Sequence, residues 1–127
     1  MADAYSDTAL DHFNNPRNVG VMEDVTVVGK AENPASGASL ELWLRIDGKG
    51  IIEKATFRAH GCTATIAAGS VVTELLPGRK LTTEGVVSRD ELAIALDGLP
   101  PTRKHAYRLV TDAIRSAAAL QDESMIA

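Results

Sequence analysis

Polar and apolar residues alternate most regularly between Leu40 and Asp47, where Leu40, Leu42, Leu44 and Ile46 are separated by Glu41, Trp43, Arg45 and Asp47. A period of two marks a strand with one buried face, so this stretch predicts the clearest strand of the chain. Upstream, the β-branched run Val25 to Lys30 predicts another. Downstream, Asp47-Gly48-Lys49-Gly50 tolerates positive φ and predicts a fold-back into a third strand from about Ile51 to about His60. The three form an antiparallel meander. Between the first two, residues 31–38 (Ala-Glu-Asn-Pro-Ala-Ser-Gly-Ala) read as a loop of turn formers and small side chains, with room to approach a site closely.

Helical spacing governs the rest. Ser6 is an N-cap candidate, and Ala9, Leu10 and Phe13 predict a short amphipathic helix that Pro16 ends. After Gly61-Cys62 a run of small residues begins, in which Ile66, Ala67, Ser70, Val71 and Leu75 share one helical face until Pro77-Gly78. Its Ala and Gly content predicts close packing on the sheet. Ser88-Arg89-Asp90-Glu91 matches a capping box before a short helix through Leu96. Past Pro100-Pro101, the segment Thr102 to Leu120 carries Ala106, Leu109, Val110, Ala113, Ile114 and Ala117 on one stripe, with Arg108, Asp112 and Arg115 outside it. Helix, three strands, then helices predict an α+β fold, with helices packed on a three-stranded antiparallel sheet.

At 127 residues the chain has the size of one domain, residues 1–127, and no internal repeat or linker divides it. A net charge of −4 and few aromatics argue against nucleic acid, which is bound through clustered cations and stacking platforms. No apolar run reaches the length of a membrane span. The opening Met-Ala-Asp-Ala-Tyr-Ser-Asp shows no signal-peptide pattern, so the expected location is cytoplasmic.

Cys62 is the single cysteine, which excludes an intramolecular disulfide and leaves three roles: core filler, ligand or nucleophile. Its expected position, where a strand gives way to a helix, would set the thiol among exposed helix amides that favour thiolate. His60 stands two residues earlier and shares a face with Cys62 if the strand persists that far, making either a two-ligand pair or a solvated strand end. His105 opens the last helix and either caps it or faces solvent. His12 reads as a surface residue of the first helix.

Four segments occur in order: Asp11-His12-Phe13-Asn14-Asn15-Pro16-Arg17-Asn18-Val19-Gly20, Pro34-Ala35-Ser36-Gly37-Ala38, Gly61-Cys62-Thr63-Ala64-Thr65-Ile66-Ala67, and Leu99-Pro100-Pro101 through His105 to Asp112-Ala113-Ile114. Together they resemble the IscU/NifU-type scaffold for iron–sulfur cluster assembly, from about Tyr5 to Ala118. The resemblance implies a [2Fe–2S] cluster or a zinc ion held by a loop Ala-Cys-Gly-Asp, a turn Gly-Cys and a helix start His-Cys. Here Ser36 stands for the loop cysteine, Ala38 for the aspartate and Ala106 for the third cysteine. Of the implied ligands only Cys62 and His105 remain. Leu99-Pro100-Pro101-Thr102-Arg103 matches the segment read by an Hsp70-type chaperone, its prolines favouring an extended conformation.

Three readings follow. The first is a degenerate, non-catalytic iron–sulfur assembly scaffold. Cys62 accepts sulfur from a cysteine desulfurase, or joins His105 in a homodimer to hold a shared [2Fe–2S] cluster, with Ser36 beside it. Zinc on Cys62, His105 and His60 is the other metal option, and no metal at all the third. The alternative is a metal-free adaptor that keeps the scaffold fold to bind assembly partners or another enzyme. Last comes a thiol enzyme with Cys62 as nucleophile, His60 or His105 as base, and the Thr63 and Ala64 amides as oxyanion donors.

Overall fold

The computed structural model describes residues 4–126, with side chains as far as 122. Met1-Ala2-Asp3, part of the segment read for a leader, lies outside the described residues. A helix α1 (Asp7–Asn14) precedes three strands, β1 (Val27–Asn33), β2 (Ala38–Ile46) and β3 (Ile52–His60). Helices α2 (Thr63–Leu75) and α3 (Arg89–Leu96) follow, then a 3-10 turn at Pro101–Arg103 and the long α4 (His105–Ile126). The strands lie in the order β1-β2-β3, antiparallel throughout, with Val27 opposite Leu44 and Ser39 opposite His60.

The alternation in β2 is fully expressed: Ala38, Leu40, Leu42, Leu44 and Ile46 are buried, and the intervening residues are half-buried on the other face. Helix α4 packs on β1 and β2, and α2 on β3, so both cover the apolar face. Close approach is built from small residues. A Cβ on Gly29 of β1 would meet the Ala113 carbonyl oxygen of α4 at 2.1 Å, and one on Gly69 of α2 would meet the Phe57 ring at 2.6 Å. The predicted stripe of α4, from Ala106 to Ala117, is buried along its length.

Three expectations need correction and one is extended. The first strand runs to Asn33, because Ala31, Glu32 and Asn33 pair with Leu40, Ser39 and Ala38. The wide loop expected over residues 31–38 therefore shrinks to a tight turn, in which the Gly37 amide donates to the Asn33 carbonyl at 2.8 Å. Second, the buried face of α1 is Ala9 and His12, while Leu10 is 38% exposed. Third, the capping box at Ser88–Glu91 forms as expected, the Ser88 hydroxyl accepting the Glu91 amide at 3.0 Å and the Ser88 amide donating to the Glu91 carboxylate. To it is added the guanidinium of Arg79, which the pattern did not predict. Fourth, α4 begins at His105, because the chain spends Pro101–Arg103 in a 3-10 turn. No helix among the described residues is long and apolar enough to cross a membrane.

Candidate functional site

Cys62 is the N-cap of α2, with extended backbone at φ −85° and ψ −179°. Gly61 before it turns the chain out of β3 at φ +156°, and a Cβ there would meet the Thr65 hydroxyl at 2.7 Å and the Ala38 Cβ at 3.1 Å. Only glycine fits this turn, and it packs the backbone preceding Cys62 against Ala38 at the end of the β1–β2 hairpin. The Cys62 carbonyl receives the Thr65 amide at 3.0 Å, starting the helix, and the Thr65 hydroxyl lies 3.7 Å from Cys62 Sγ. The side chain is half-buried against the core.

Burial pushes the Cys62 thiol up, but it is outweighed by hydrogen bonding from the Thr65 amide and hydroxyl, by the Ala64 amide and by the charge of Arg103. The thiol therefore lies below its ordinary value of 9.0. A sulfur in this state is more nucleophilic at neutral pH and a better soft ligand than an ordinary surface cysteine.

His105, the first residue of α4, is half-buried and lines a cleft of about 360 Å³ with Asn33 and Pro34, at the turn that also carries Ser36. Ser36 is exposed, and its hydroxyl accepts the Ala38 amide at 3.2 Å, serving the turn. The hairpin end thus meets the Cys62 turn through Ala38 and the α4 start through Pro34. His60 is different. β3 ends at His60 and Cys62 follows the Gly61 turn, so the shared strand face on which their pairing depended does not exist. His60 is exposed and lines a cleft with Ser39, Glu41 and Arg58. Among the described residues no group of three or more His, Cys, Asp or Glu side chains is positioned to hold a metal ion.

The Leu99–Arg103 segment is not extended as a whole: Leu99 and Pro100 are buried and Pro101–Arg103 form the 3-10 turn. Two features escaped the sequence reading. Thr65 sits at the third helical position, where a polar side chain reaches back to the N-cap, and that placement beside Cys62 was a usable signal. His12 had none: it is 5% exposed, with Nδ1 2.8 Å from the Ser70 hydroxyl, which also receives the Arg17 amide at 2.9 Å.

Residues 4–124 match the family described as the NifU-like N terminal domain. A protein named iron-sulfur cluster assembly scaffold protein IscU from Haemophilus influenzae is 40% identical over 119 residues, covering 91% of this chain and 94% of that one. The protein of the same name from Escherichia coli is 39% identical over 119 residues, 91% of this chain and 92% of that one. These relatives are named as scaffolds for cluster assembly, not as enzymes. Among solved structures, an iron-sulfur cluster assembly scaffold protein for the SUF system from Fervidobacterium islandicum superposes with TM-score 0.70 at 19% identity, over 90% of this chain and 96% of that one. A NifU-like N-terminal protein from Brucella abortus gives 0.66 at 14% identity, over 95% and 92%. At those identities the structures establish the fold, and the sequence matches establish the kinship: the chain belongs to the NifU-like N terminal domain family, whose scaffold proteins share its α+β architecture.

Proposed function

We propose that this chain is a degenerate iron–sulfur assembly scaffold of the cytoplasm whose working group is the Cys62 thiolate. The observation that supports it is the half-buried thiol at the α2 N-cap, held below its ordinary value by the Thr65 and Ala64 amides, the Thr65 hydroxyl and Arg103. Its sulfur donor is a cysteine desulfurase. In the transfer, the Cys62 thiolate attacks the outer sulfur of the donor's cysteine persulfide. A new S–S bond forms at Cys62 as the old one breaks, the donor cysteine leaves as thiolate, and no oxidant or reductant is consumed.

One chain does not fit a cluster. A [2Fe–2S] centre takes four protein ligands, and a closed zinc site also wants four, whereas Cys62 and His105 are two. The Ser36 oxygen, which also accepts the Ala38 amide, is a far poorer ligand for a soft site than thiolate, and His60 is exposed beyond the turn. A cluster cargo therefore requires a homodimer in which two Cys62 and two His105 face one another. Anaerobic reconstitution followed by iron, labile-sulfide and persulfide analysis tests this. Sulfur bound to wild type and absent from Cys62→Ala is expected; equal sulfur and iron in both, or none in either, removes the proposal.

A second reading is a metal-free adaptor that binds assembly partners or another enzyme. The Ser36 hydroxyl in place of a thiol and the buried small side chains of Ala38 and Ala106 favour it. An Hsp70-type chaperone reading Leu99–Arg103 belongs here too, its contact limited to the exposed Pro101 and Thr102 unless the turn opens. Recovery of one stable partner equally by wild type and Cys62→Ser selects this reading.

A further inference from the structure

One turn along α4 from His105, a separate cleft of about 320 Å³ opens between residues 82–89 and the helix. Its charged walls are Arg89, Arg108 and Arg115 against a single carboxylate, Asp112. In a chain of net charge −4, that concavity carries two surplus positive charges at neutral pH. Asp112 is shared between two arginines, accepting from Arg115 Nη1 at 3.3 Å and pairing with Arg108 Nε at 3.7 Å, so one carboxylate faces two guanidinium groups. Arg89 makes no ion pair among the described residues. Each guanidinium has five donors, so most remain for a ligand.

The donors do not end there. Ser88 and Arg89 form the start of α3 at the same wall, where the first-turn carboxylates Asp90 and Glu91 offset the partial charge of the helix amides and leave the arginines as the anion-directed donors. The Ser88 hydroxyl accepts the Glu91 amide, which leaves its own proton to donate outward. Thr82 and Thr83 line the mouth, while buried Val87 and Ile114 contribute apolar floor. The loop wall is held in place beforehand: Arg79 Nη1 donates to the Val86 carbonyl at 3.0 Å and to Glu91 Oε1 at 2.8 Å, while Nη2 holds the other Glu91 oxygen.

We propose that this cleft binds a small phosphate dianion, either inorganic phosphate or a phosphate monoester of metabolite size. Planar guanidinium forks match phosphate oxygens in pairs, and the volume admits a phosphoryl group with a short organic tail. Binding draws Arg108 and Arg115 away from Asp112. Because Arg108 and Asp112 also line the cleft that holds His105, the anion would sit next to the scaffold site without belonging to it.

The test is an amide NMR titration of the full chain at constant ionic strength, with inorganic phosphate in one arm, glycerol 3-phosphate in a second and chloride in a third. Saturable shifts confined to residues 82–89 and 108–115 are expected. Arg89→Gln and Arg115→Gln should each weaken binding about tenfold, the loss of one charge-assisted pair. Lys54→Gln, on β3, should leave it unchanged. Tighter binding of glycerol 3-phosphate identifies a monoester, and tighter binding of inorganic phosphate identifies the free ion. A linear response equal to that of chloride, or saturable binding that both arginine variants keep, overturns the proposal.

Discussion

Gly61 lies directly against Ala38: a Cβ added to Gly61 would stand 3.1 Å from the Ala38 Cβ, with the Thr65 hydroxyl closer still at 2.7 Å. Two segments distant in sequence are thereby held together at the thiol. Gly61→Ala should cost about 1–3 kcal/mol, from strain and displaced neighbours, by urea denaturation. It should also disturb the Thr65 hydroxyl and raise the thiol pKa, read from the pH dependence of alkylation. Unchanged stability together with an unchanged profile would contradict the packing described.

Thr65→Val removes the hydroxyl 3.7 Å from Cys62 Sγ while keeping the shape of the side chain and the Thr65 amide. The thiol pKa should rise towards its ordinary value, slowing alkylation at neutral pH. Arg103→Gln should act in the same direction, and more weakly, since the Arg103 charge is the smallest of the lowering influences. A profile that does not move in Thr65→Val would show that the amides alone set the thiolate.

His12 gives the fold a pH dependence of definite sign. Burial, joined by the charge of Arg17, lowers its pKa below the ordinary 6.5 against the opposing pull of Glu74 and Asp11. The unfolded chain therefore takes up a proton first. Stability is fully present above pH 6.5 and is lost as pH falls through that value towards the folded pKa. His12→Gln, which can still reach the Ser70 hydroxyl, should flatten this part of the stability curve. A wild-type curve already flat over that range would refute the assignment.

Arg79 ties the end of α2 to α3 through Glu91 and also holds the Val86 carbonyl. Arg79→Ala should cost about 1 kcal/mol, at the upper end for a partly exposed pair, because the half-buried Val86 carbonyl loses its Arg79 donor together with the Glu91 carboxylate, which keeps the Ser88 amide. It should also loosen residues 82–87, seen as faster amide exchange there than in β2. Equal exchange in wild type and variant would count against a bracing role.

The sheet was legible because β2 alternates strictly and the Asp47–Gly50 turn is chemically unambiguous. The α4 stripe was legible for the same reason, at a period of 3.6. Residues 31–33 were not, since Ala, Glu and Asn have little strand preference and are held by pairing with β2, a tertiary effect. The Cys62 N-cap could be read from the strand-to-helix change at Gly61. Burial of His12 could not, because it depends on Ser70 of a helix 58 positions away. For the same reason the arginine cleft is invisible in the sequence: Arg89 and the pair Arg108 and Arg115 are separated by a helix end and a proline turn.

The near-contact of Gly29 with the backbone of Ala113 has a mechanical consequence. With no side chain between them, α4 touches β1 at a fixed fulcrum, where sliding would drive a carbonyl oxygen into the strand. With Ala106, Leu109 and Val110 also buried, the first turns of the helix are held in the same place, and the position of His105 is thereby set by a strand far from it in sequence.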